Sequence, residues 1–177
     1  MKITNEQAEY LLTLPKKVVE NNTLLDELTI EQQYPFHDRF ELVSERDDDF
    51  SFLWEIKQSK KNSIRISLHC QEDDSKTGLL RVDYNGGHTN PMEVTEFVPE
   101  KFRPYAGKSF SVNEHHIHYH VEGYSSLAWA IPLSVDEFAI KEIKQGPDFN
   151  HTFAETIKLF AKTIHIETAI AVNILLL

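Results

Sequence analysis

Ser63-Ile64-Arg65-Ile66-Ser67-Leu68-His69-Cys70-Gln71 alternates residue by residue. Ile64, Ile66 and Leu68 fall on one side, and Arg65, Ser67 and His69 on the other. A period of two is the signature of a strand laid on a core by one face. Cys70 keeps register with Ile66 and Leu68 and reads as a core residue. Upstream, Phe50 to Gln58 has the same period, with Phe50, Phe52, Trp54 and Ile56 sharing a face. The linker between them, Ser59-Lys60-Lys61-Asn62, is short and polar, as a hairpin needs. Downstream, the polar run Gln71 to Thr77 leads into Gly78 to Tyr84, which Asn85-Gly86-Gly87 ends. Three strands joined by short turns make an antiparallel meander. Phe40 to Val43 adds a short strand before it, and His115 to Gly123 and Ala128 to Leu133 add two after it.

Helical signals flank this sheet. Thr4 to about Asn22 carries Ala8, Leu11, Leu12, Val18 and Val19 largely on one side, with Thr4 as cap. Pro15 predicts a kink or a break into two short helices. Ser134 as N-cap with Glu137 at the capping-box position predicts a helix to about Ile143. His151 to about His165 is the clearest helix, with Phe153, Ile157, Phe160, Ala161 and Ile164 on one face. Pro91, Pro99 and Pro104 predict that Asn90 to Ser109 is mostly loop. The run Ala169 to Leu177 predicts a buried strand that finishes the core. The expected fold is therefore α+β, a mostly antiparallel sheet with N-terminal and C-terminal helices packed on one face. No repeat or linker divides residues 1–177, so one domain is expected.

The chain has 177 residues, with 18 basic and 28 acidic side chains and a net charge of −10. That acidity disfavours broad, charge-driven binding to nucleic acid. One cysteine excludes an intramolecular disulfide scaffold and a Cys-based zinc finger. The N-terminus lacks the apolar run of a signal peptide, and no apolar stretch reaches the ~20 residues of a membrane span. These features predict a cytoplasmic protein with no membrane association. No phosphate loop, dinucleotide glycine fingerprint or nucleophile elbow is present.

Histidine is where the sequence departs from the ordinary. There are nine, and residues 115–122 read His-His-Ile-His-Tyr-His-Val-Glu. In a strand, His116, His118, His120 and Glu122 project from one side, and His115, Ile117, Tyr119 and Val121 from the other, which is largely apolar. Three imidazoles in register fit two chemistries. A pair of them can supply a general base and a general acid near pH 7 with no cofactor. Neutral His-x-His can instead chelate a divalent metal, with His116, His118 and His120, or with Asp83, His88 or Glu122 completing the shell. The plain alternative is a solvated strand that carries histidine.

Residues 81–91, Arg-Val-Asp-Tyr-Asn-Gly-Gly-His-Thr-Asn-Pro, carry the second signal. Arg81 and Asp83 share a strand face opposite Val82. Arg81 can fork onto a phosphate or carboxylate, and Asp83 can orient a histidine or bind metal. Gly86 and Gly87 permit a tight turn and close approach to a ligand, and His88 and Asn90 sit just past the strand end. A structural Arg–Asp pair followed by a glycine turn would look the same.

Arg81-Val82-Asp83, then His88 in a His-x-Asn-Pro turn, then His116-Ile117-His118 resembles a pattern in uncharacterised small bacterial proteins. More distantly it is similar to TumE-type toxins of bacterial toxin–antitoxin pairs, which carry an Arg-Trp-Asp strand, a His-bearing turn and a following His-x-His. The likeness spans about residues 78–124. It implies an RNA-acting, toxin-like or defence-related protein with His116, His118, Arg81, Asp83 and His88 as catalytic residues, and RNA or an antitoxin-like protein as partner.

Three functions thus compete. The first is RNA chemistry by imidazole acid–base exchange, with Arg81 on the phosphorane and Lys57, Lys60, Lys61 and Arg65 offsetting the acidity on one face. The second is a metal-dependent protein. The third is a non-enzymatic binding module anchored by Tyr84, Tyr105, Tyr119 and Tyr124.

Overall fold

Ile56, Leu68, Val82, Ile117 and Ile131 lie opposite one another on five neighbouring strands, each nearly or fully buried. This apolar row is the spine of the core, and the period of two in the sequence builds it. The computed structural model describes residues 2–174. The strands are β1 (Lys17–Glu20), β2 (Thr23–Leu24), β3 (Glu27–Gln32), β4 (His37–Ser44), β5 (Asp47–Gln58), β6 (Ile66–Glu72), β7 (Thr77–Tyr84), β8 (His88–Thr89), β9 (Ser109–Phe110), β10 (His116–Tyr119), β11 (Trp129–Pro132) and β12 (Ala169–Ile174). The helices are α1 (Asn5–Thr13) and α2 (Phe149–Thr163). Eight strands form one antiparallel sheet in the order β11-β10-β7-β6-β5-β4-β1-β2. The meander β5-β6-β7 is its centre, as the alternation predicts. β12 pairs in parallel with β3, and β8 pairs with β9. The class is therefore mixed α and β with a large antiparallel sheet. Among the described residues, no helix is long and apolar enough to cross a membrane.

Several segments differ from expectation. Thr4 caps α1 in a full capping box with Gln7, but the helix ends at Thr13. Beyond Pro15 the chain is strand β1, not a second helix. Proline supplies no N–H for a continuing helix, and β-branched Val18 and Val19 favour the sheet. Val18 is buried, and Asn21 and Asn22 take positive φ of 50° and 60° to turn into β2.

The expected helix from Ser134 is a single 3₁₀ turn, Leu133–Val135, with no side-chain cap. Asp136 ends it: its carboxylate accepts from Phe138 N at 2.9 Å and from the Tyr119 hydroxyl at 2.7 Å. A side chain that closes its own local turn competes with helix propagation.

The strand His115 to Gly123 shrinks to β10, because only residues 116–119 pair with β7 and β11. At the C-terminus, β12 alternates exposed and half-buried residues instead of finishing the core. It lies on β3, outside the main sheet, and Leu175–Leu177 of the expected strand fall outside the described residues. Helix α2 matches its pattern: Phe153, Ile157, Phe160, Ala161 and Ile164 are all buried.

Candidate functional site

The face of the sheet opposite the apolar spine carries two polar rows, and strand register creates both. In one, Lys57, Ser67, Asp83 and His116 lie opposite one another across β5, β6, β7 and β10. In the other, Glu55, His69, Arg81 and His118 do the same. Residues far apart in sequence thereby converge: Arg81 and Asp83 from β7, His116 and His118 from β10.

Their contacts are specific. Arg81 Nε donates to Asp83 Oδ2 at 2.9 Å, and Arg81 Nη2 donates to His118 Nε2 at 2.8 Å. His118 Nδ1 donates to the Leu127 carbonyl at 2.8 Å, which puts the ring proton on Nδ1 and leaves Nε2 as the acceptor for Arg81. His118 Nε2 and Asp83 Oδ2 are only 3.1 Å apart. His116 is held in the same sense: Nδ1 faces the Glu114 carbonyl at 3.3 Å. Its Nε2 lies 3.5 Å from Asp83 Oδ2 and has no hydrogen-bond partner.

Both imidazoles are fully buried, while the Asp83 side chain keeps 14% exposure. The polar face of the strand is thus an enclosed tier, neither a solvated surface nor an open one. The excursion from Asn85 to Glu114 covers it. Phe110 of β9 stacks on His116 with ring centroids 4.6 Å apart, and His88 meets His118 edge-on at 4.5 Å. Asn90 fastens this cover by exchanging hydrogen bonds with both the N–H and the carbonyl of Ala130, at 2.9 and 2.7 Å. The positive φ of the turn after β7 falls on Asn85, at 56°, rather than on a glycine. Gly86 passes close over the cluster instead: a Cβ there would stand 3.4 Å from Asp83 Cβ and 3.7 Å from His116 Cε1.

Burial pushes the His118 imidazole down to about 4. The Asp83 contact opposes that shift, and the Arg81 charge adds to it. Burial raises the Asp83 carboxyl, but its contacts with His116 and His118 and the Arg81 charge outweigh this and hold it well below the usual carboxylate range. Burial also lowers His88 and His69. Near neutral pH the cluster is therefore an anionic carboxylate, a guanidinium and a His118 ring held neutral.

Arg81 and Asp83 line a cavity of about 740 Å³, together with Lys57, Lys60, Lys61 and Arg65. Among the described residues, none of those four cations has a carboxylate within ion-pair distance. An acidic chain thus gathers unpaired positive charge around one opening.

Four of the five residues expected as catalytic, Arg81, Asp83, His116 and His118, meet in one network. The fifth, His88, stands beside it with Nε2 bound to the Ala128 carbonyl at 2.9 Å. His120 does not join: its Nε2 donates to the Ile3 carbonyl at 2.8 Å. Among the described residues, the three ligand atoms that lie within 4.8 Å of one another belong to Asp83, His116 and His118. His69 and Phe110 carry no site signal of their own in the sequence. The hairpin register that sets His69 opposite Arg81 was a signal for the first; nothing local marks the second.

The family model matching the chain is described as a family of unknown function, DUF6978, and covers residues 3–166. No curated protein and no solved structure matches.

Proposed function

We propose that this chain, which belongs to the DUF6978 family, is an RNA-directed enzyme whose reaction centre is Asp83 and Arg81 in the cavity lining, backed by His116 and His118. The observation that carries the reading is the ring of Lys57, Lys60, Lys61 and Arg65, unpaired around an anionic carboxylate and a fixed guanidinium. Phosphodiesters need such cations, and only groups at the opening can touch them.

Arg81, oriented by Asp83 and His118, presents the rest of its fork to a phosphate. Asp83 takes the proton of a 2′-hydroxyl and passes it to the bare Nε2 of His116, 3.5 Å behind. The freed oxygen attacks phosphorus, the P–O5′ bond breaks, and solvent protonates the leaving oxygen. The proton thereby ends on an imidazole rather than on a carboxylate held in its anionic form.

The likeness of Arg81-Val82-Asp83, His88 and His116-Ile117-His118 to TumE-type toxins supports the same substrate and a toxin-like or defence-related role in the cytoplasm, with an antitoxin-like protein as partner. The same reading keeps both helices on the far, apolar face. Lys16 Nζ, bonded to the Leu12, Leu14 and Ile164 carbonyls, lies 4.7 Å over the Phe52 ring.

The test is RNA cleavage by the purified chain in a metal chelator, with product ends analysed. Wild type should leave 2′,3′-cyclic phosphates, His116→Gln/His118→Gln should lose at least 100-fold in rate, and Lys60→Ala/Lys61→Ala should raise KM. A double histidine variant as active as wild type, or no cleavage of any RNA, sinks the reading.

A further inference from the structure

Two electron-rich atoms, His118 Nε2 and Asp83 Oδ2, approach to 3.1 Å, and a third, His116 Nε2, stands 3.5 Å from the same oxygen. Lone pairs this close need positive charge between them. Arg81 supplies it, donating Nε to one and Nη2 to another. It does not reach the third: His116 Nε2 is buried without a partner. We propose that Asp83 Oδ2, His116 Nε2 and His118 Nε2 form a site for a divalent transition metal, with the Arg81 guanidinium occupying the cation's place in the metal-free chain.

The geometry matches the claim. Ligands at ~2.0–2.1 Å from a tetrahedral zinc stand about 3.3 Å from one another; the two edges at Asp83, 3.1 and 3.5 Å, bracket that value, and all three ligand atoms lie within 4.8 Å of one another. Each histidine gives its Nδ1 to a backbone carbonyl, Glu114 or Leu127, which fixes the tautomer that directs Nε2 inward. Two imidazoles and one carboxylate suit zinc, iron or manganese rather than calcium or magnesium. Asp83 and Arg81 line the cavity, so withdrawal of the guanidinium opens the fourth position to it. The Arg81 side chain, 32% exposed, has room to withdraw into that space.

This site uses the side chains of the RNA reading in a second, metal-bound state, and its readout is metal affinity, so it stands or falls independently of RNA cleavage. The full chain, purified without a polyhistidine tag and stripped with a chelator, is titrated with Zn²⁺ against a chromophoric competitor. A parallel titration with Co²⁺ is followed by visible absorption. One equivalent should bind, with the intense absorption of tetrahedral cobalt. His116→Gln and His118→Gln should each weaken zinc at least tenfold. Arg81→Gln should tighten it at least threefold by removing the competing cation, and His151→Gln, at an exposed position, should leave it unchanged. Wild-type affinity no greater than that of His116→Gln overturns the proposal. So does Arg81→Gln binding no tighter than wild type, a comparison that decides even if the histidine variants fail to fold.

Discussion

His118 titrates near 6.5 in an unfolded chain but near 4 inside the cluster. Between those values the unfolded state takes up a proton that the folded ring refuses, so stability falls as pH falls through that window. For this one group the loss by pH 4 is about 3 kcal/mol. Asp83 works in the same direction. Its folded value is depressed, so its stabilisation is present above the usual carboxylate range and is lost as pH drops below it. Urea unfolding in a chelator at several pH values should therefore show wild type weakening from pH 6.5 to 4.5. His118→Gln should show a visibly flatter profile, and identical slopes would contradict the assignment of a neutral buried ring. The pairing of His116 with His118 was legible in the sequence, because period two puts them on one face. Their enclosure was not: it depends on Phe110, whose stacking on His116 is a tertiary contact with no local pattern.

At the scale of elements, the central strands were legible because apolar alternation and polar turns agreed along Phe50–Tyr84. The segments that misled are those where one residue overrides a periodic signal. Pro15 ends α1 and hands Val18 to a strand, and Asp136 closes a turn where a capping box suggested a helix. His120 left the predicted site because β10 stops at Tyr119, and alternation of faces holds only where the strand does. The cover over the histidines hangs on Asn90, whose amide mimics a strand neighbour for Ala130 and also donates to the Tyr105 carbonyl at 3.0 Å. Three bonds at ~1 kcal/mol each make Asn90→Ala a loss of about 2–3 kcal/mol. Hydrogen exchange should then quicken across residues 88–110 ahead of the central meander. Uniform protection in both regions would show that the cover is held elsewhere.

For the whole molecule, net charge and local charge point opposite ways. A surface at −10 repels polyanions at long range, while the cavity concentrates positive charge locally in Lys57, Lys60, Lys61, Arg65 and Arg81. Any RNA affinity should therefore fall with salt through only a few contacts. By fluorescence anisotropy, Lys60→Ala should weaken binding of all sequences alike and reduce the log–log salt slope by about 0.7, the single-strand value per neutralised phosphate. A slope unchanged in that variant would place the phosphates elsewhere. Lys16 adds a consequence in the order of synthesis. Its amine is capped by Leu12 and Leu14 nearby and by Ile164, 148 residues later in the chain. A polypeptide leaving the ribosome exposes this lysine early and supplies its last carbonyl only when α2 has emerged. The Lys16 amine thus holds two of its carbonyls from the start and gains the third only once Ile164 has been made.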